Sequence, residues 1–220
     1  MSDHLLTLSH KTFIAEEGWE DLSDYKVGGL CPIHLGDRLK NGTYTVMHKL
    51  GYGSTSTVWL ARNTRYGQDA EKYPYRYVAL KILEADASAP SRDLTILQHL
   101  QKAFSADASE RSGTSTVLEE TNTSTDLSSH SHPGIIRLLD HFTTASPNGT
   151  HDVLVFPIVR RLTELSHRHG EYGRFWNGMT EDYCSIVRQL FEATAFLHEH
   201  RVVHGDITSA NIGYLCEDVS

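Results

Sequence analysis

The hydrophobic pattern shifts from mainly strand-like to helical late in the chain, and that shift limits the possible architectures more than any single motif does. Up to about residue 159, apart from one helical stretch after Pro90, apolar residues alternate or run in short blocks bounded by Gly, Pro, Asn and Ser; from Thr180 they recur at helical spacing. An Asn41-Gly42 turn precedes an apolar stretch at 44–50, and residues 57–61 follow a Gly/Ser/Thr cluster, which reads as strand, tight loop, strand. A third strand is expected at Tyr77–Leu83, where alternation puts Tyr77, Ala79 and Lys81 on one face and Val78, Leu80 and Ile82 on the other. Pro90 and Ser91 open a helical pattern with Leu94, Leu97 and Leu100 on one side, and Ser91 suits the N-cap. Residues 132–139 and 153–159 are two further strand candidates, around a Pro147-Asn148-Gly149 turn.

From Thr180, the residues Tyr183, Ile186, Val187, Leu190, Ala193, Thr194 and Leu197 form one stripe, the strongest helix signal in the chain. Strands first and helices later predict an α+β fold with segregated lobes: a five-stranded antiparallel sheet with one helix, then the beginning of a helical lobe. The expected divisions are an extension at 1–40, the sheet lobe at 41–159 and the partial helical lobe at 160–220. Within the sheet lobe, residues 103–131 are dominated by Ser and Thr and have no period, so they read as a mobile insertion.

With 220 residues and 39% hydrophobic content, the chain can bury a real core. No stretch approaches the ~18 consecutive apolar residues of a membrane span, and the apolar run at 153–159 is broken by Pro157, so no membrane association is expected. Residues 1–11 lack a basic start followed by an apolar block, which argues against secretion. Three scattered cysteines, Cys31, Cys184 and Cys216, fit a reducing compartment, cytoplasmic or nuclear. The net charge of -8 argues against direct nucleic-acid binding. Histidine pairs such as His130/His132 and His198/His200 have no Cys-x-x-Cys partner and read as solvated or capping groups.

Three motifs carry chemistry. Gly51-Tyr52-Gly53-Ser54-Thr55-Ser56-Thr57-Val58 lies between the first two strands, where glycines let backbone amides close over a phosphate chain and Val58 can pack on a nucleobase. Val78-Ala79-Leu80-Lys81 puts a small residue and an ammonium on one strand face, as a base-contacting wall beside a phosphate grip requires. His204-Gly205-Asp206-Ile207-Thr208-Ser209-Ala210-Asn211 spaces an acid and an amide as phosphoryl transfer needs: Asp206 can orient or deprotonate a hydroxyl, and Asn211 offers a neutral oxygen to magnesium. Singly, these are also a hairpin turn, an edge lysine snorkelling to water and a polar turn.

Together and in this order, with a helix, a His-Pro segment, an apolar hinge and a long helix between them, they resemble the eukaryotic protein kinase family. More narrowly, the chain resembles the SR-protein kinases and their fungal relatives. That likeness rests on Tyr25-Lys26-Val27-Gly28-Gly29-Leu30-Cys31-Pro32-Ile33, on Leu35-Gly36-Asp37, and on residues 49–60, where Ser56 stands at the usual third glycine. It covers about residues 25–220 apart from the insertion.

The resemblance implies a serine/threonine kinase using ATP and Mg2+ on a protein hydroxyl, with Arg- and Ser-rich substrates. Gly51, Gly53, Ser54 and Val58 would cover the nucleotide, Ala79 would line its base, and Lys81 would grip its α and β phosphates. Phe156 would stand behind the adenine, with Pro157–Val159 as hinge. The Pro157 carbonyl would take the adenine amino group, and the Val159 amide would reach a ring nitrogen. Asp206 would be the base and Asn211 a magnesium ligand, facing Lys81 across one crevice.

The chain departs from the family pattern at several points. Asp93 replaces the glutamate that holds the lysine and is one methylene shorter: an ion pair requires the helix to sit closer in, and the other reading is that Asp93 only complements the N-terminus of its helix. Gly205 replaces the arginine that receives an activation-loop phosphate, which implies that regulation does not take that route. Thr208 replaces a phosphate-contacting lysine and cannot neutralise charge. No Asp-Phe-Gly follows Asn211 within the 220 residues. A poorly stable, slow or inactive polypeptide is expected on that ground, with part of the long helix's stripe wet. Two other readings stand beside this one: a pseudokinase or nucleotide- or partner-binding module, and a small-molecule phosphotransferase of the aminoglycoside or choline kinase type, which often carries His-Gly-Asp.

Overall fold

The computed structural model describes residues 20–69, 72–88, 91–112, 132, 134–161, 175–209 and 211–215. Its centre is a fully antiparallel sheet of β1 (Arg38–Leu39), β2 (Tyr44–Gly53), β3 (Ser56–Asn63), β4 (Tyr77–Leu83), β5 (Asp140–Ser146) and β6 (Gly149–Phe156), in the order β1-β2-β3-β4-β6-β5. The expected five strands are therefore six. The additional strand, β1, is two residues long and lies in the stretch read as an extension, beside the Asn41-Gly42 turn. Lys40, Asn41 and Gly42 there all take positive φ.

The alternation of β4 sorts the core as expected. Val78, Leu80 and Ile82 join Tyr44, Val46, Trp59, Ala61, Val153 and Val155 on one face of the sheet. Ala79 joins Leu138, Leu154 and Phe156 on the other face, where Val58, Leu94 and Leu97 pack against them. Burying both faces of the central strands is the main source of stability here, because apolar area removed from water contributes roughly 25 cal/mol per Å². Tyr44 also hydrogen-bonds Asp140 at 2.8 Å; burial, with that bond second, pushes its phenol well above the ordinary range.

Two of the strand candidates shift. Residues 135–139 are not a strand; β5 begins at Asp140. The apolar run at 135–139 instead crosses between faces, with Leu138 in one cluster and Leu139 against the other. β6 ends at Phe156 because Pro157 has no N–H to give to a ladder, and Val159 starts a separate strand, β7 (Val159–Arg161). The turn between β5 and β6 falls where expected, at Pro147-Asn148.

A four-residue helix, α1 (Ala85–Ser88), leads from β4 to α2 (Arg92–Ser112). Ser91 caps α2: its hydroxyl accepts the Leu94 amide at 3.2 Å, and its carbonyl accepts the Thr95 hydroxyl at 2.9 Å. Because α2 continues to Ser112, the first part of the expected insertion is helix; residues 113–131 lie outside the described residues.

The long helix α3 (Phe175–Glu199) starts before Thr180. It meets α2 at a seam where Phe196, Leu197 and Leu100 are buried, with Ile96, Phe104, Ile135 and Val202 around them. His132 and His200 pack on the Phe196 ring, with centroids at 4.9 and 4.5 Å, so these histidines are packing groups. Of the expected stripe, Ala193 and Leu197 are buried, while Val187 is exposed. The last strand, β8 (Gly213–Leu215), pairs antiparallel with β7, Val159 opposite Leu215 and Arg161 opposite Gly213. Among the described residues no helix is long and apolar enough to cross a membrane.

Candidate functional site

The site starts from the register of four strands. Gly51 faces Val58, Val58 faces Lys81 and Lys81 faces Leu154 across β2, β3, β4 and β6. The next row on the same face is Leu60, Ala79, Phe156. Residues directly opposite in antiparallel strands project from one face, so Val58, Ala79, Lys81 and Phe156 form one contiguous surface, on the side of the sheet that α2 covers.

The glycine segment differs in detail from the expected loop. β2 and β3 run on to Gly53 and Ser56, and only Ser54 and Thr55 turn the chain. Gly51 and Gly53 therefore lie in the ladder. A Cβ added at Gly51 would meet nothing within 4 Å, and one at Gly53 would meet only the Ser56 hydroxyl at 3.7 Å. The absent side chains leave the backbone on this hairpin open to a ligand.

Lys81 Nζ donates to Asp93 Oδ2 at 2.6 Å. The aspartate, in the first turn of α2, therefore reaches the lysine despite its missing methylene. Both side chains are partly exposed, at 32% and 45%, which makes the pair a positioning contact more than a source of stability.

The second half of the site is the loop after α3. Asn211 Nδ2 donates to Asp206 Oδ2 at 2.7 Å and to the Asp206 carbonyl at 3.0 Å, and the Asn211 amide donates to Thr208 O at 3.0 Å. Acid and amide, with four residues between them in sequence, thus hold one another. With the amide's nitrogen committed to Asp206, its oxygen is directed elsewhere. Two features of this loop escaped the sequence reading. Asp206 N donates to His204 Nδ1 at 3.3 Å. Gly205 sits at φ 77° with open space around it, so this glycine supplies a left-handed turn that an arginine would occupy under strain. A glycine between two polar residues in a loop was the available signal.

The loop is joined to the sheet half through the hinge. Phe156 ends β6, and Pro157 and Ile158 lead into β7, which pairs with β8, and Gly213 is two residues past Asn211. Asn211 is therefore tied within two residues of the end of that ladder.

An apolar wall, an ion-paired lysine beside an open glycine hairpin, and an acid–amide couple after a long helix occur together in this chain. A family model described as protein kinase domain matches residues 44–218, and the chain belongs to that family. It is 33% identical over 199 residues to the serine/threonine-protein kinase spk-1 of Caenorhabditis elegans, covering 90% of this chain and 17% of that protein. It is 30% identical over 200 residues to the serine/threonine-protein kinase SKY1 of Saccharomyces cerevisiae, covering 90% and 23%. Against the SRSF protein kinase 3 of Mus musculus it is 29% identical over 199 residues, covering 90% and 30%. The chain thus spans less than a third of the length of each of these relatives.

Proposed function

We propose that this chain carries the nucleotide-binding and phosphoryl-transfer groups of an SR-protein-kinase-like serine/threonine kinase, which moves the γ-phosphate of ATP to a protein hydroxyl in Arg- and Ser-rich substrates in the cytoplasm or nucleus. The observation that carries the reading is the Lys81–Asp93 pair on the same sheet face as Val58, Ala79 and Phe156.

In this reading Val58, Ala79 and Phe156 bound the base, with the Pro157 carbonyl and Val159 amide at its edge. The backbone of Gly51, Gly53 and Ser54 covers the phosphates. Lys81, oriented by Asp93, balances the charge of the α and β phosphates. Asp206 accepts the proton of the attacking hydroxyl, held in place by the Asn211 amide. The couple fits a divalent ion, because the Asn211 oxygen is left available by the bonds its nitrogen makes. Magnesium, when bound there with the nucleotide, supplies charge neutralisation of the transferring group. Thr208 adds a hydrogen bond without a charge.

The test is a thermal-shift titration with magnesium-ATP on the chain and on Lys81→Ala. Ligand at a hundredfold excess over Kd stabilises a binding protein by about 2.7 kcal/mol, and the shift should vanish in Lys81→Ala. Equal shifts in both would remove Lys81 from the site. For turnover, Asp206→Asn should retain binding and lose phosphate transfer to an Arg/Ser peptide. An Asp206→Asn protein that transfers normally would overturn the role of the acid.

A further inference from the structure

We infer that residues 24–31 form a strap that sets the reach of Asp93 to Lys81 and so positions the phosphate-gripping lysine; this rests on the role proposed above for Lys81. The strap is held by backbone bonds that the proposed reaction does not use. The Ala85 and Asp86 amides, the first two of α1, donate to the carbonyls of Gly29 at 3.0 Å and Gly28 at 2.8 Å. On the other side, the Gly28 amide donates to the Asn148 carbonyl at 2.8 Å, and the Asn148 side-chain amide donates to the Leu30 carbonyl at 2.7 Å. Leu30 and Cys31 are buried, and Cys31 belongs to the sheet's core cluster, which anchors the strap's end.

The place of these bonds gives them their consequence. α1 is the one element described between β4, which carries Lys81, and α2, which carries Asp93. Its far end is also fixed: the Ser88 hydroxyl accepts the Asp152 amide of β6 at 2.8 Å. A polar chain then ties the strap's turn to β4 itself. The Asn148 amide donates to Ser146 Oγ at 3.0 Å, Ser146 Oγ bonds His151 Nε2 at 2.7 Å, and His151 Nδ1 donates to the Leu83 carbonyl, two residues past Lys81, at 2.9 Å. The aspartate has one methylene less than a glutamate, so α2 has to be drawn closer for the 2.6 Å contact to form. The segment that draws in its connection is the strap. Glycines are required in it: Gly28 takes φ 85°, and a Cβ at Gly29 would fall 2.1 Å from the Asp24 carbonyl oxygen.

The experiment compares Gly29→Ala, which displaces the strap, with Gly29→Ala/Asp93→Glu, which returns a methylene of reach. One readout is the Kd for magnesium-ATP. The other needs no nucleotide: the coupling between Lys81 and Asp93, measured by a double-mutant cycle of Lys81→Met and Asp93→Asn in urea unfolding, with and without Gly29→Ala. The expected result is a Kd raised roughly three- to thirtyfold by Gly29→Ala, mostly restored by Asp93→Glu, and a coupling that disappears when the strap is displaced. A strap that only stabilises the fold lowers the unfolding midpoint and leaves Kd and coupling unchanged, which overturns the inference, as does a Kd loss that Asp93→Glu fails to rescue. If the unmutated chain binds no better than Lys81→Ala, the functional reading fails, and the coupling still decides for or against the strap. Should Gly29→Ala not fold, Asn148→Ala removes only the bond to the Leu30 carbonyl and carries the same comparison, with Kd raised roughly two- to fivefold.

Discussion

The sheet half and the loop half of this molecule hold their polar groups in opposite ways. In the sheet half, Lys81 stands in a ladder whose neighbours Leu80, Leu154 and Val155 are fully buried, so its position is inherited from a packed core. In the loop half, Asp206 and Asn211 are exposed beside an exposed Val203 and Ile207, and what positions them is mainly each other. A rigid scaffold can place a lysine from far away in sequence. An exposed loop needs partners a few residues off, and the four residues between acid and amide leave them within reach of each other.

The contrast is sharpened by truncation. Leu80→Ala should cost about 2–5 kcal/mol in urea denaturation, whereas Phe191→Ala, at a side chain 70% exposed on α3, and Asp206→Asn should each stay within about 0.5 kcal/mol. A large loss from Phe191→Ala would show that the second half is packed more tightly than described. Next in size is His151→Ala, which leaves the Leu83 carbonyl and Ser146 hydroxyl short of a partner in the buried sheet and should lower stability by about 1–3 kcal/mol. Ser91→Ala removes the cap of α2 and should cost about 1 kcal/mol, with increased hydrogen exchange confined to its first turn.

The smallest effect is on pH dependence. Burial raises the Asp152 carboxyl above its ordinary value of 3.8, against a nearby His141 that lowers it. The folded state then holds that proton more tightly than the unfolded chain does. Its contribution is therefore fully present below 3.8 and is lost as pH rises through the raised value. Asp152→Asn should flatten the stability profile in that acid window and leave it unchanged at neutral pH in slope; an unaltered acid profile would discount the burial.

How much of this was legible in sequence follows from how local each signal is. The two faces of β4, the Ser91 cap and the Pro147-Asn148 turn are all properties of contiguous residues, and they read correctly. β5 was missed because Asp-His-Phe-Thr-Thr-Ala-Ser has few apolar residues. It is an edge strand, needing only one face against the core, and the apolar residues just before it drew the assignment away. The last turns of α2 look like Ser-rich linker, yet helix propagation from a well-capped start carries through them. The β7–β8 pairing and the bonds from Gly28 and Gly29 to α1 join residues more than fifty apart, and nothing in either segment names its partner.

Two three-residue strands, β7 and β8, are where the chain leaving β6 meets the residues that follow Asn211. One consequence is mechanical. A tilt of β6 passes through Pro157 and Ile158 into a ladder too short to absorb it, so the hinge and the acid-bearing loop share a single lever, and a molecule wedged against the start of β7 would steer both.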